Sequence, residues 1–331
     1  MVAEVNDMNS SAENRIRVFA PATVANVACG FDTLGFAINQ PGDIVEAALR
    51  DAPGVRITGI TGDGGRLPYE AEKNTAGVAV IALLEHIGLT TGVEMVVHKR
   101  MPLGSGLGSS AASSVAALYA TNMLLGEPLQ PLDLLPFAMK AEAIACGSPH
   151  ADNVAPGLLG GFVLIRSYDP LDVVTIKYPE ALHCTVLHPH IELRTEDSRR
   201  ILRKHIRLED AVIQWSNLAG LIAGLSQADF PLISRSLNDI IFEPVRSLLI
   251  PGFAQVKGSA MEAGALGCSI SGSGPSVFAL STSIEEARRV GLAMKLAFSE
   301  LQLESDIYVS PVNRQGPRVL APKEDPVAPE F

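Results

Sequence analysis

The chain has 331 residues, enough for one large domain or two ordinary ones at roughly 150 residues each, with a core that needs no covalent staples. Apolar residues make up 47% and charged residues 19%, a globular composition, and 26 Lys+Arg against 36 Asp+Glu leave a net charge of −10. That balance argues against a general nucleic-acid or anionic-membrane binder, since both reward a basic face, but it leaves room for an anionic small molecule held by a local cluster of donors.

Residues 1–14 carry Glu4, Asp7 and Glu13 and no apolar stretch, so no secretory leader is expected and order is expected from about Arg15. Alternation at Ile16 and Val18, at Val55 and Ile57, and at Val93, Met95 and Val97 predicts half-buried strands, with shorter apolar candidates at Ile44 to Ala48 and Gly161 to Ile165. Between them, Val80, Leu83, Leu84 and Ile87 recur at helical spacing, with Asn74 or Thr75 as N-cap and Gly88 as C-cap. Helices follow at about Ser109 to Leu125 and at Leu132 to Cys146, the second with Leu135, Ala138, Met139 and Glu142 along one face.

Asp169-Pro170 and the turn-rich stretch after it mark an expected boundary near residue 168. Beyond it come a strand at His183 to Leu187, an amphipathic helix at Ala211 to Leu225 with Val212, Trp215, Ala219 and Ile222 on its apolar face, a strand at Ser276 to Leu280, a helix at Ala287 to Leu301 and a strand at Ile307 to Val309. A tail from Arg314 with four prolines is expected to be loosely held. The chain thus divides into mixed α and β halves at 15–168 and 169–312, with a tail at 313–331.

The uncharged runs Pro102 to Gly126 and Ala211 to Ala228 are too polar for a membrane span. Cys29, Cys146, Cys184 and Cys268 lie far apart and form no C-x-x-C pair, which fits a reducing compartment, so a cytoplasmic protein is expected.

The strongest local signal is Pro102-Leu103-Gly104-Ser105-Gly106-Leu107-Gly108-Ser109-Ser110-Ala111-Ala112, between an expected strand and an expected helix. Glycines at alternating positions let the backbone approach a ligand and turn its N–H groups inward, and the helix start adds positive dipole, so the segment reads as a phosphate cradle or as a glycine-rich turn that permits helix–strand packing. It is not a Walker A loop, because no lysine follows Gly104 or Gly108, and it is not a dinucleotide fingerprint, because Ser109 stands at the third glycine position.

A second cluster, Ser271-Gly272-Ser273-Gly274-Pro275-Ser276, precedes a strand as an ordinary turn would. In a third segment, Ala20 to Asp32, the polar groups beyond hydroxyl and thiol are Asn26 and Asp32, and a carboxylate in so apolar a setting needs a partner such as a ligand ammonium. His188-Pro189-His190 has no acidic or cysteine array beside it in sequence and reads as a loop rather than a metal site.

Taken in order, Pro21-Ala22-Thr23 through Gly30-Phe31-Asp32, the loop from Pro102 to Ser110, and Ser271 to Pro275 resemble the three motifs of the galactokinase, homoserine kinase, mevalonate kinase and phosphomevalonate kinase (GHMP) superfamily. The run Gly147-Ser148-Pro149-His150-Ala151-Asp152-Asn153-Val154-Ala155-Pro156, with Asn26 and Asp32 six residues apart, resembles its homoserine kinase branch. The resemblance spans Arg15 to about Val312 and implies an α+β fold of two domains, the first of mixed sheet and helices like ribosomal protein S5 domain 2, the second a ferredoxin-like sandwich.

It also implies ATP-dependent phosphorylation of the side-chain hydroxyl of L-homoserine to O-phospho-L-homoserine, as in threonine biosynthesis, in a homodimer with no nucleic-acid or membrane partner. Pro102 through Ala112 would cradle the nucleotide, with Asn74 at an adenine-pocket position, though Asn74 is also a plain N-cap. Ser110 and Glu142 would hold Mg²⁺; the alternative for Glu142 is a solvent-facing residue paired with Lys140. Asn26 and Asp32 would meet the amino group, and Arg199 and Arg246 the carboxylate, where the guanidinium fork suits bidentate contact. Thr195 and Gly272 fall at further acceptor positions, while His150 is either there or structural. Locally, Arg194 to Arg200 is also a solvated charged helix start with Thr195 as N-cap.

Asn153 stands where several relatives have an aspartate, so it is expected to orient the hydroxyl rather than deprotonate it, and positioning and charge neutralisation carry a loose phosphoryl transfer. Val27-Ala28-Cys29 departs from the Leu-Gly-Pro usual in the superfamily, and Leu202-Arg203-Lys204-His205 lacks a proline common there. The readings set against this one are another GHMP kinase acting on a sugar or mevalonate, a dinucleotide-dependent oxidoreductase, and a non-catalytic nucleotide-binding regulator.

Overall fold

The computed structural model describes residues 15–321 and 324–326. The expectation about residues 1–14 and the end of the tail, 327–331, lie outside the described residues.

Eleven strands are described: β1 (Ile16–Ala25), β2 (Leu34–Arg50), β3 (Gly54–Thr61), β4 (Gly92–His98), β5 (Phe162–Tyr168), β6 (Leu171–Ile176), β7 (His183–Pro189), β8 (Gly267–Ile270), β9 (Val277–Ser281), β10 (Ser305–Pro311) and β11 (Arg318–Val319). The α-helices are α1 (Thr75–Ile87), α2 (Ser109–Leu124), α3 (Leu135–Cys146), α4 (Val154–Leu159), α5 (Thr195–Arg200), α6 (Leu208–Gln227), α7 (Phe230–Ser236), α8 (Glu243–Arg246), α9 (Phe253–Glu262) and α10 (Ile284–Glu300).

The first sheet has seven strands in the order β11-β1-β2-β4-β3, with β5 paired to the other end of the long β2 and β6 paired to β5. Pairing is antiparallel except for β3 with β4. Helix α2 lies on β1 and β2 and is covered in turn by α1 and α3. That central position explains its small residues: Ala111, Ala112, Ala116, Ala117 and Ala120 are at most 1% exposed, and larger side chains would hold α2 off the sheet. Asn74 caps α1 by accepting from Ala76 N, and Gly88 ends it in the left-handed conformation, as the sequence predicts.

The second sheet is antiparallel in the order β10-β7-β9-β8, and α9 and α10 pack on it. Successive strands therefore run β7, β8, β9 and β10 with helices in the two longer crossovers, the β-α-β-β-α-β ferredoxin-like arrangement.

Several sequence expectations are corrected. The turn between β5 and β6 falls at Asp169-Pro170, next to the expected boundary, yet β6 stays in the first sheet because hairpin pairing holds it there, so division by sheet membership lies between Ile176 and His183. The tail returns to the first sheet: β11 pairs with β1, Leu320 N donates to Arg17 O at 2.8 Å, and Leu320 is buried. In α6 the core face is Ala211, Gln214, Leu221 and Leu225, while Val212 and Trp215 are 45% and 54% exposed. Gln214 wins a core position because its amide bonds Cys29 O, Asp239 Oδ1 and Ile240 N. Among the described residues no helix is long and apolar enough to cross a membrane, and Cys29, Cys184 and Cys268 are buried and free.

Candidate active site

The first and second sheets meet at two glycine-rich loops. In the loop between β4 and α2, Gly104, Gly106 and Gly108 all have positive φ, which turns successive peptide planes and needs glycine most where the neighbours are backbone. A Cβ on Gly106 would lie 2.5 Å from Ser271 O and 2.7 Å from Gly274 O. The second loop is bonded directly to the first: Ser271 Oγ donates to Gly106 O at 2.7 Å and Ser276 N to Ser105 O at 3.2 Å. Sequence read Ser271 to Ser276 as a turn before a strand; tertiary packing also lays it directly against the first loop.

Beneath the first loop, Asp43 of β2 and Lys99 form a fully buried ion pair. The Asp43 carboxylate also accepts from Arg100 N, Met101 N, Ser109 Oγ and Ser113 Oγ, and Lys99 Nζ donates to Ser109 O and Ser113 Oγ. One carboxylate thereby ties both ends of the loop together. Sequence reasoning missed this pair, since the partners lie 56 residues apart and neither stands in a motif.

A cavity of about 510 Å³ opens above the loops. Of the residues expected to contact ligands, Asn26, Asn74, Leu103, Gly104, Ser105, Gly106, Gly108, Ser109, Ser110, Glu142, His150, Asn153, Thr195, Arg199, Arg246 and Gly272 line it. Leu107, Ala111 and Ala112 do not: they are buried behind the loop and hold it. Pro102 and Asp32 also stand off the lining.

At the helix end of the cavity, Glu142 is 6% exposed on α3, and Lys140, the surface alternative for its partner, forms an exposed ion pair with Glu85 instead. Burial pushes the Glu142 carboxyl up to about 7, against the pull of the Ser110 hydroxyl bonded to it and of the Lys99 charge. A buried carboxylate and hydroxyl beside a phosphate-sized cradle are the oxygen donors a Mg²⁺ ion takes when substrate phosphates complete its shell, so the residues fit that ion.

At the other end two arginines flank the Phe31 ring, Arg199 at 5.4 Å and Arg246 at 5.0 Å from its centroid, and Phe31 stacks on Phe242 at 3.7 Å. Arg246 is 3% exposed, donates from Nη1 to Gly272 O at 2.9 Å and forms no ion pair among the described residues; burial lowers its value to about 10, with Arg199 adding to the effect. Arg199, in contrast, grips Asp32 through both Nη atoms. The partner that Asp32 needs is therefore supplied by the protein, where sequence reasoning expected ligand.

Asn26 ties loops together, donating to Gly272 O at 2.8 Å and accepting from Asp32 N at 3.0 Å, and leaves one lone pair of its oxygen for the cavity. It holds φ at 68°, and Val27 and Ala28 follow at 40° and 59°, so the segment that departs from the superfamily pattern is wound left-handed without glycine. Thr195 opens α5 as its first residue, not as its N-cap, which is Arg194, because its hydroxyl is drawn to Ser273 Oγ at 3.2 Å. His150 lies 3.8 Å from Asp32, and burial lowers its pKa.

One carboxylate of the run from Gly147 to Pro156 was given no role by the sequence. Asp152 lines the cavity, is 3% exposed and makes no ion pair among the described residues; burial pushes it up to about 7, reinforced by the Asp32 charge. Its signal was present: an acid among small apolar residues one position before Asn153.

Two glycine loops laced across a cleft between an S5-like sheet and a ferredoxin-like sandwich define a small-molecule kinase of the GHMP class. The GHMP kinases N terminal domain matches residues 74–161, and the GHMP kinases C terminal domain matches residues 221–300. The homoserine kinase of Chlorobium phaeobacteroides is 54% identical over 314 residues, covering 91% of this chain and 98% of that protein, and the one from Xanthomonas campestris is 45% identical over 305. The crystal structure of homoserine kinase from Cytophaga hutchinsonii, 60% identical, superposes with a TM-score of 0.91 over 93% of this chain and 98% of that one. Mevalonate kinase from L. major, at 16% identity and a TM-score of 0.66, shares the fold. The chain belongs to the homoserine kinase family and is a kinase.

Proposed function

We propose that the enzyme transfers the γ-phosphoryl group of ATP to the side-chain hydroxyl of L-homoserine by direct in-line displacement, without a strong catalytic base. The observation that carries the acceptor class is the pair of opposite charges buried in one cavity, Arg246 and Asp152, neither in an ion pair among the described residues. Desolvated charges are costly unless matched, and an α-amino acid matches both at once, its carboxylate on Arg246 and its ammonium on Asp152. A sugar or mevalonate offers no ammonium. Arg199, Asp32 and Asn26 frame the same end, with His150, Thr195 and Gly272 around them.

In this reading the N–H groups of the glycine loop and of the first turn of α2 hold the phosphates, and the loop's glycines admit them to backbone distance. Asn74 shapes the wall toward the base, its own polar atoms spent on Ala76 N and Pro68 O. Ser110 and Glu142 would hold Mg²⁺, which when bound neutralises charge on the transferring phosphoryl group. Asn153 orients the acceptor hydroxyl, so Asn153→Asp retains transfer. A loose transition state leaves little covalent work for the protein, and held geometry supplies most of the rate. A homodimer and a cytoplasmic setting belong to the same reading, supported by the family resemblance.

The test is ADP release measured with homoserine, threonine, mevalonate and galactose as acceptors. Homoserine is expected to be turned over in preference to the other three. Equal or faster turnover of mevalonate or galactose overturns the amino-acid assignment.

A further inference from the structure

Asn153 occupies the N-cap position of α4, where asparagine normally accepts a hydrogen bond from the backbone of the first turn. Its side chain makes no such bond. Instead, Oδ1 accepts from Thr23 Oγ1 at 2.7 Å, across 130 residues of sequence. The Asn153 backbone is itself helical, at φ −102° and ψ −49°, rather than extended as a capping residue's usually is, so its side chain serves the tertiary contact instead. Thr23 itself is 1% exposed and does not line the cavity, whereas Asn153 does.

Thr23 is tied to the nucleotide loop as well. Its N–H donates to Leu107 O at 3.0 Å, and a Cβ on Gly108 would stand 2.2 Å from Thr23 Oγ1 and 2.8 Å from Asn153 Oδ1. The glycine at the start of α2 leaves space for this pair, and β1 supplies a rigid base for it.

We propose that Thr23 is a positioning residue for phosphoryl transfer: its hydroxyl, by occupying Asn153 Oδ1, turns the Asn153 amide NH₂ toward the acceptor hydroxyl and fixes that group relative to the nucleotide loop. The inference rests on the reading of Asn153 as the group that meets the acceptor. With one lone pair of its oxygen held by Thr23, Asn153 turns its NH₂ toward the cavity, and a neutral amide orients the hydroxyl oxygen without taking its proton.

The experiment compares Thr23→Val, Thr23→Ser and Asn153→Ala, alone and with Thr23→Val and Asn153→Ala combined, by steady-state kinetics and thermal melting. Thr23→Val keeps the volume and removes the donor, leaving the Asn153 amide without the bond that orients it. It is expected to lower kcat roughly tenfold while KM for both substrates stays within about twofold. Thr23→Ser is expected to restore kcat to within about twofold, and Thr23→Val is expected to add nothing to Asn153→Ala, because Thr23 acts through that residue. If Thr23→Val melts early, Thr23→Cys, a much weaker donor of similar bulk, carries the same comparison. A Thr23→Val enzyme with unchanged kcat beside a slow Asn153→Ala enzyme overturns the inference alone. A full additional loss in the double variant overturns it too. An Asn153→Ala enzyme as fast as the parent overturns the acceptor reading on which it stands.

Discussion

Asp32 and Arg199 meet fork to fork, Nη2 to Oδ1 at 2.6 Å and Nη1 to Oδ2 at 3.1 Å. The sequence places the two residues at opposite ends of an amino-acid ligand, and in the fold each satisfies the other. The planar fork holds the carboxylate side by side, which an ammonium cannot do. Arg199→Lys is therefore expected to weaken acceptor binding on the order of tenfold and to leave nucleotide affinity unchanged, both read by calorimetry. Unchanged acceptor affinity would remove Arg199 from the site.

A pH dependence follows from the two raised carboxyls. Glu142 and Asp152 sit at about 7, above ordinary values of 4.5 and 3.8. A carboxyl raised in the fold contributes stability that is complete below its unfolded value and is lost as pH rises through its folded value. The ligand-free enzyme is thus expected to melt at falling temperature between about pH 4 and pH 7, and Glu142→Gln to flatten part of that slope. In the proposed site Mg²⁺ would take the ionised Glu142 carboxylate, so its binding should strengthen across the approach to pH 7. Thermal melts at stepped pH check the first claim; an identical slope in Glu142→Gln would refute it.

Gly106 is the tightest point between the two glycine loops. Alanine there combines a φ of +77° with a Cβ within 2.7 Å of two carbonyl oxygens, and backbone cannot yield as a side chain can. Gly106→Ala should cut kcat/KM for ATP by at least about a hundredfold, as reacting groups shift by an ångström or so. Initial rates at varied ATP measure it.

Lys99→Met should destabilise the protein by about 3–5 kcal/mol, because the Asp43 carboxylate would be left buried without its counter-charge. Replacing both partners with apolar residues should cost less than that, since no lone charge remains, although Arg100 N and Met101 N then lose their acceptor. Denaturant unfolding of the single and double variants makes the comparison.

Helix positions were legible because their signals are local. Asn74 and Gly88 bound α1 as capping chemistry requires, and the face of Leu135, Ala138, Met139 and Glu142 is buried as its spacing implies. The exposed stripe on α6 reversed expectation because hydrophobic spacing names a face but not its contact, and a bonded Gln214 took the core side. The first sheet runs on past the expected boundary and takes in part of the tail for a related reason: β5 is placed by β2 and β11 by β1, partners far along the chain.

By itself the amino-acid order determined the caps of α1, the alternation of most strands and the three glycine-rich or small-residue motifs, all set by interactions within a few residues. Only the tertiary structure decided that Ser271 closes on Gly106, that Arg199 holds Asp32, and that Thr23 bonds Asn153. Those are contacts between segments 130 or more residues apart, and their geometry exists only once two sheets have packed and excluded water from between them.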